Sequence, residues 1–197
     1  MVIRLFGCFM MNTLKVMIRM KQSQSAGKQF ENDFKGSIPE YCMVHRLKDT
    51  AQAYNQSVNT KFTRHNECDF FVFDTIRRVL YCFECKSTKY KSMAWQQDED
   101  APDRLIKWHQ IESLTKLGKY NGIEAGFICN FRDEKNNMER CYFIEISLFN
   151  AMRGRISKKS FDEIDLVQNG AIRIKGDRKI KRYHWDMNDF FERGVKI

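Results

Sequence analysis

Three ionisable residues, Asp69, Glu84 and Lys86, are of types that could together hold a metal ion and activate water near a phosphate. Asp69 opens the segment DFFVFD, and the other two belong to the segment VLYCFECKST, so all three stand in apolar sequence. An ionisable group among apolar residues costs free energy unless it is paired or ligated. We therefore interpret the three residues as a candidate metal-dependent catalytic site.

The two segments predict an antiparallel hairpin, because both are rich in aromatic and β-branched residues and the short polar stretch TIRR separates them. If the turn centres between Ile76 and Arg77, paired positions sum to 153 and Asp69 lies directly opposite Glu84. Directly opposed residues have Cβ atoms about 4.5–5.5 Å apart. Lys86 projects from the same face as Glu84, since side chains alternate along a strand. The hairpin thus brings all three groups together.

Two opposed carboxylates repel one another unless a positive charge lies between them. Oxygen ligands from Asp69 and Glu84, with the backbone carbonyl of Cys85 and water, suit Mg²⁺ or Mn²⁺ better than zinc. Two roles are then open to Lys86. It could orient or deprotonate the water that attacks the phosphate, or it could stabilise the negative charge that develops on the phosphate. The alternative is a surface salt bridge, which is common at this spacing.

The surrounding sequence predicts the elements that position these residues. GKQFENDFKGS predicts a helix with Phe30 and Phe34 on one face, and CMVHRL predicts a strand. A second helix is expected from Leu105 to Leu117, followed by the strands IEAGFICNFR and RCYFIEISLF. The order helix, three strands, helix, strand is typical of an α/β fold with a mixed central sheet flanked by helices.

The chain after Asn150 reads as a peripheral addition to this core. We expect a short helix that opens with a capping box from Ser160 to Glu163, and a last helix around Asp186 to Arg193. Residues 1–19 are expected to lie outside a single domain spanning 20–197, whose core covers about 27–149. The basic additions then occupy 150–197.

The formal net charge of +9 is unevenly distributed, because ten Lys or Arg against four Asp or Glu occur from Arg153 to Arg182. Such a stripe favours a polyanionic partner, although a solvated basic surface is the alternative. The seven cysteines show no disulfide spacing, which favours a reducing cytoplasm. The first twenty residues contain Arg4, Lys15 and Arg19, so no apolar run there is long enough to span a membrane.

The segments GKQFENDF, ECDF, FECKST and KWHQIESL resemble the PD-(D/E)xK nuclease superfamily, and within it the RecU-type Holliday-junction resolvases. The resemblance covers roughly Gly27 to Phe149 and implies a restriction-endonuclease-like core, Mg²⁺ dependence, a homodimer and symmetric nicking of four-way junctions. By position it implies that Asp69, Glu84 and Lys86 are catalytic. It also implies that Glu31 lies near the metal ion and that Gln110 belongs to the site.

RecU-type proteins carry a long insertion in the strand region, whereas TIRR is a tight turn in this chain. The connection from Lys48 to Asn66 could hold a shorter excursion. The residues expected to contact DNA are Lys61, Arg64, Lys89, Lys91, Arg153, Arg155, Lys158 and Lys159. The expected partners are branched or duplex DNA and recombination proteins. Open alternatives are a restriction-like, nicking or repair endonuclease and a non-catalytic recombination mediator.

Overall fold

A computed structural model describes residues 26–47, 66–180 and 182–193. The helices in this part of the chain are α1 (26–35), α2 (Trp108–Leu117), α3 (Ile146–Arg155), α4 (Glu163–Gln168) and α5 (Met187–Arg193). The strands are β1 (Cys42–Arg46), β2 (Phe70–Asp74), β3 (Val79–Thr88), β4 (Met93–Ala94), β5 (Ile123–Asp133), β6 (Met138–Glu145), β7 (Ser160–Phe161), β8 (Ile172–Ile174), β9 (Gly176–Arg178) and β10 (Tyr183–Trp185). None of these helices is long and apolar enough to cross a membrane.

Six strands form the central sheet, in the order β1-β2-β3-β5-β6-β8. Neighbouring strands are antiparallel except for β3 and β5, which are parallel. A parallel pair needs a crossover connection, and the connection from β3 to β5 contains α2. The predicted α/β class, with a mixed sheet and the order helix, three strands, helix, strand, is confirmed.

Separate apolar clusters cover the two faces of the sheet, because side chains alternate along each strand. One cluster contains the buried residues of α2 and α3. The other contains those of α1 and α5, and there the rings of Phe34 and Phe83 meet edge to face at 5.5 Å. Cys82 belongs to the first cluster and Cys85 to the second. These two thiols therefore point to opposite faces and pack into separate clusters.

The turn between β2 and β3 is held by the buried side chain of Asp74. Its carboxylate accepts hydrogen bonds from the backbone N–H groups of Ile76, at 2.9 Å, and Arg77, at 3.0 Å. The guanidinium of Arg77 also pairs with it at 3.1 Å. The paired residues of the hairpin run from Phe70–Phe83 to Asp74–Val79, so every pair sums to 153 and the predicted register is confirmed.

The second helix begins at Trp108 rather than at Leu105. Ile106 pairs with Trp95 in an isolated parallel bridge, which keeps the residues before the helix extended. The side chain of Gln96 then accepts the backbone N–H of Trp108 at 2.9 Å, at the start of the helix. The predicted start of this helix is therefore wrong, because Leu105 precedes the helix and is exposed.

The strand predicted from Arg140 to Phe149 ends at Glu145, and its second half is the helix α3. The Glu145 carboxylate accepts the backbone N–H groups of Ser147, at 3.0 Å, and Leu148, at 3.3 Å. A side-chain acceptor at this position satisfies N–H groups that have no partner within the helix. This cap explains why an apolar run typical of a strand continues as a helix.

The segment after Asn150 is not peripheral. Strand β8 is the edge strand beside β6, and Trp185, Phe190 and Phe191 are fully buried in the α1 and α5 cluster. The last helix occurs where the sequence predicts it, at Met187–Arg193.

The capping box of α4 differs from the predicted one, because it uses Asp162 and Asp165. The two side chains accept one another's backbone N–H groups, at 3.0 Å and 2.9 Å. Ser160 instead pairs with Ala94 in the two-stranded β4–β7 ladder.

Gly126 lies where β5 meets β6, and a Cβ atom there would stand 2.3 Å from the backbone oxygen of Ile144 and 2.6 Å from the Phe143 ring. We expect Gly126→Ala to lower the free energy of unfolding by about 1–3 kcal/mol, the usual cost of overpacking a core. Urea denaturation followed by circular dichroism measures the change.

Gly154→Ala is the matched control, because a Cβ atom at this position in α3 meets nothing within 4 Å. Alanine in a helix is favoured over glycine by roughly 0.5–1 kcal/mol. The control should therefore be as stable as the wild type or slightly more stable. Equal stability of Gly126→Ala and wild type would contradict the close packing of β5 against β6.

Candidate active site

Glu84 lies at the centre of the candidate site and is only 4% exposed. Its Oε1 atom accepts a hydrogen bond from Lys86 Nζ at 2.9 Å, since both residues project from the same face of β3. Gln110, in the first turn of α2, donates its Nε2 hydrogen to the same oxygen. The Gln110 Oε1 atom accepts the backbone N–H of Lys107 at 3.0 Å. The start of α2 and the middle of β3 are thus joined through one glutamine.

Asp69 lies directly before β2, and its carboxylate accepts the backbone N–H of Cys85 at 2.8 Å. The predicted ladder pair between Asp69 and Glu84 does not form, because the described ladder ends at Phe70. In its place the Asp69 side chain takes the N–H group between Glu84 and Lys86. The two acids are still near each other, because the Asp69 backbone N–H donates to the Phe83 carbonyl at 3.0 Å and the Asp69 carboxylate accepts from Cys85, on either side of Glu84.

Glu31 approaches this site from α1 but is held by two cations. Its carboxylate forms an ion pair with Arg46 of β1 and another with Lys28, at 3.2 Å. Its charge also raises the pKa of Asp69, although it contributes less than burial and the Glu84 charge do. The sequence does not predict the pair with Arg46, because the partners are 15 residues apart and only the packing of α1 beside β1 joins them.

The protonation of the site follows from its burial. Burial raises the pKa of Asp69 to about 7, and the charge of Glu84 adds to the increase, while Lys86 and the Cys85 N–H act against it. For Lys86, burial favours the neutral amine, yet the Glu84 carboxylate outweighs this effect and raises the pKa above its ordinary value. Lys86 is therefore a charged side chain at neutral pH.

The donor set suits a hard divalent cation. Two carboxylates, those of Asp69 and Glu84, share a mostly buried site with a single ammonium group, and Glu31 already has its own cations. No cluster of three or more His, Cys, Asp or Glu side chains suited to a metal ion occurs in the described ranges. An ion here would thus need backbone oxygen and water beside the two carboxylates, which is common for Mg²⁺.

The fold brings together two basic segments that are far apart in sequence. Lys89 and Lys91 are exposed just after β3, and Lys159 is exposed just before β7. Strand β4 pairs with β7, and the Trp95 N–H donates to the Lys159 carbonyl at 3.4 Å. The two segments therefore lie side by side near the end of the strand that carries Lys86. Trp95 itself is buried among core rings and is an anchoring contact.

The remaining basic residues predicted to contact DNA differ in their contacts. Lys158 is paired with Asp162 and Asp165, whereas Arg155 is exposed and donates to the Asn169 side chain at 3.3 Å. Arg153 is half-buried against α2. Lys61 and Arg64 lie outside the described residues.

We expect Asp69→Asn to stabilise the metal-free protein at high pH. An unfolded Asp ionises near pH 3.9, whereas burial raises the pKa of folded Asp69 to about 7. Ionisation therefore favours the unfolded chain increasingly from about pH 4 to 7, and asparagine removes this cost. In EDTA, the melting temperature of Asp69→Asn should exceed that of the wild type at pH 8, with a smaller difference at pH 5.

Asp98→Asn serves as the control, because Asp98 is an exposed carboxylate in the loop before α2. It should leave the melting temperature nearly unchanged at both pH values. If Asp69→Asn raises the melting temperature equally at pH 5 and pH 8, burial does not raise the pKa of this carboxylate.

No family model matches this chain. The chain is similar to the SPbeta prophage-derived uncharacterized protein YotM of Bacillus subtilis (strain 168), with 31% identity over 134 residues, which are 64% of this chain and 59% of that protein. It thus spans less than two thirds of that relative's length. Among solved structures it is similar to Archaeoglobus fulgidus Hjc, a Holliday junction resolvase from an archaeal hyperthermophile, with a TM-score of 0.48 and 15% identity, covering 75% of this chain and 95% of the other.

Proposed function

We propose that this chain is a metal-dependent endodeoxyribonuclease. The observation that carries the proposal is the set of contacts around Glu84, where Lys86 and Gln110 share one carboxylate oxygen while Asp69 is fixed on the adjoining backbone. A salt bridge with no other role would not require a second, partly buried carboxylate, and the desolvation of that carboxylate is unfavourable. Perturbed ionisable groups gathered in this way are typical of a catalytic site.

Mg²⁺, or Mn²⁺ in its place, is the proposed cofactor. Asp69 and Glu84 would hold it, together with the backbone carbonyl of Cys85. When bound, such an ion supplies Lewis-acid polarisation of a phosphate oxygen and lowers the pKa of coordinated water. A divalent cation would also offset the repulsion between the two carboxylates, which is one cause of the raised pKa of Asp69.

Of the two roles open to Lys86, the structure favours the stabilisation of phosphate charge. Its pKa is raised by Glu84, so the side chain is an ammonium group rather than a base. A charged donor in a water-poor site stabilises the negative charge that develops on the phosphate. Gln110 is a positioning residue in this mechanism, because it fixes one oxygen of Glu84 relative to α2.

The proposed substrate is a four-way DNA junction, nicked symmetrically by a homodimer. This part rests on the sequence resemblance to RecU-type resolvases and on the adjoining basic segments that contain Lys89, Lys91 and Lys159. Two matched cuts require two sites related by a twofold axis. Recombination proteins are proposed as further partners.

A second candidate is the same chemistry on another DNA substrate, as in restriction-like, nicking or repair enzymes. The tight turn between β2 and β3 favours it, because Thr75–Arg78 provides no protruding arm that could enter a junction.

The main test is cleavage of an immobile four-way junction in Mg²⁺, mapped on all four strands beside flap and linear duplex DNA. We expect paired symmetric nicks near the junction centre and little cutting of linear duplex. Asp69→Ala, Glu84→Gln and Lys86→Ala should each lower the cleavage rate at least about 100-fold while junction binding persists, since each removes charge stabilisation.

Glu112→Gln is the matched control, because Glu112 is an exposed acid on the same helix as Gln110. It should cleave at the wild-type rate. Equal cutting of flap or linear DNA would favour the second candidate. Tight junction binding without cleavage in any divalent cation would contradict the nuclease proposal and indicate a recombination mediator.

Metal binding has its own test, which needs no DNA. Saturating Mg²⁺ should raise the melting temperature of the wild type, because a ligand that binds only the folded chain stabilises it by about 2.7 kcal/mol at 100 times its dissociation constant. Asp69→Ala and Glu84→Gln should lose this increase, whereas Glu112→Gln should retain it. An undiminished increase in Glu84→Gln would place the cation elsewhere.

A further inference from the structure

One arginine departs from the rule that the other half-buried arginines follow. Four of the five described arginines that are neither exposed nor fully buried have a carboxylate partner: Arg46 pairs with Glu31, Arg77 with Asp74, Arg132 with Glu134 and Arg140 with Glu163. The fifth, Arg153 near the end of α3, forms no ion pair with any described residue. A charge withdrawn from water without a partner is unfavourable.

The contacts of Arg153 are few and long. Its terminal nitrogens donate to the Asn150 side chain at 3.3 Å and to the Gln97 carbonyl at 3.4 Å. The guanidinium carbon lies 5.3 Å from the centre of the Trp108 ring, within the range of a cation–π contact. Burial lowers the pKa of Arg153, and no carboxylate of the described residues offsets that effect.

The same place holds two buried donors without acceptors. Within the described ranges, neither Arg153 Nε nor Gln97 Nε2 has a hydrogen-bond partner. Buried donors in native proteins nearly always find an acceptor. Because Gln97 also accepts from Arg153, the two unsatisfied donors belong to one small region. Both lack the same kind of partner, which is a hydrogen-bond acceptor.

This region adjoins the candidate active site through α2. Trp108 and Gln110 both belong to the first turn of that helix, and Gln110 donates to Glu84. None of the described contacts of Arg153 reaches Asp69, Glu84 or Lys86. Arg153 therefore lies beside the reacting centre without forming part of it.

We propose that Arg153 and Gln97, with Trp108 behind the guanidinium, bind a non-scissile phosphate of the DNA strand that is cut. This inference rests on the proposed nuclease function and adds a defined subsite to it. The planar guanidinium presents paired donors that match phosphate oxygens, which a lysine at the same position would not do. The ring of Trp108 fixes its plane, so less conformational freedom is lost on binding.

The first measurement is the salt dependence of DNA binding in EDTA, where cleavage is prevented. Arg153→Gln should bind a four-way junction and a duplex about tenfold more weakly than the wild type. The slope of log affinity against log salt should fall by about 0.9, the value for one lost phosphate contact on duplex DNA. Arg193→Gln removes an exposed arginine of α5, on the opposite face of the sheet, and should leave both quantities unchanged.

The decisive measurement replaces single phosphates by neutral methylphosphonates along the strand. The wild type should lose affinity at one position near the cut, and Arg153→Gln should be insensitive there while remaining sensitive at other positions. If the variant and the wild type respond alike at every position, the phosphate subsite is wrong. That result would leave cleavage by the wild type, and so the proposed function, unaffected. Conversely, the protein could lose affinity at one methylphosphonate position and yet cut no DNA. That result would support the phosphate subsite and contradict the proposed nuclease function.

Folding is checked by the melting temperature, which should stay within about 3 °C of the wild type in Arg153→Gln. Arg153→Lys is the second variant, because it keeps the charge but not the fork of donors. It should show intermediate affinity with the wild-type salt slope. Wild-type affinity and slope in both variants would overturn the proposal.

Discussion

The register of the β2–β3 hairpin is the constraint on which the candidate site depends. Side chains alternate between the faces of a sheet, so a slip by one residue would move Glu84 and Lys86 to the α1 face. The buried Asp74 carboxylate prevents this slip by fixing the turn through backbone N–H groups and Arg77. The turn between β2 and β3 thus determines that Glu84 lies on the face of the sheet that α2 covers, where it contacts Gln110.

The hairpin gathers charge at a cost in stability. Burial and the Glu84 charge disfavour ionised Asp69, and among the described residues Lys86 and the Cys85 N–H oppose that effect. The apolar clusters on the two faces of the sheet, both rich in aromatic residues, offset this unfavourable free energy. The same repulsion would strengthen the binding of a divalent cation, because the bound ion would remove the repulsion between the two carboxylates.

Arg153 is a second group that is unfavourable for the stability of the free protein but suited to binding a charged ligand. Each of the other half-buried arginines in the described ranges has a carboxylate partner, whereas the described contacts of Arg153 are the Trp108 ring and two amide oxygens. Both places contact the first turn of α2, Glu84 through Gln110 and Arg153 through Trp108. The β4–β7 ladder brings the two basic segments together. Arg153 Nε and Gln97 Nε2, two of the buried groups that lack a hydrogen-bond partner in the described ranges, thus lie where a polyanionic strand could satisfy them.

The sequence by itself determined the strands β1, β2, β3 and β5, the hairpin register and the face shared by Glu84 and Lys86, because these follow from local alternation and turn length. The resemblance added Gln110, which the structure places on Glu84. Tertiary structure alone decided the helix after Glu145, the core position of Phe190 and Phe191, and the isolation of Arg153. Those features depend on side-chain caps and on contacts between residues distant in sequence, and a periodic pattern carries no information about them.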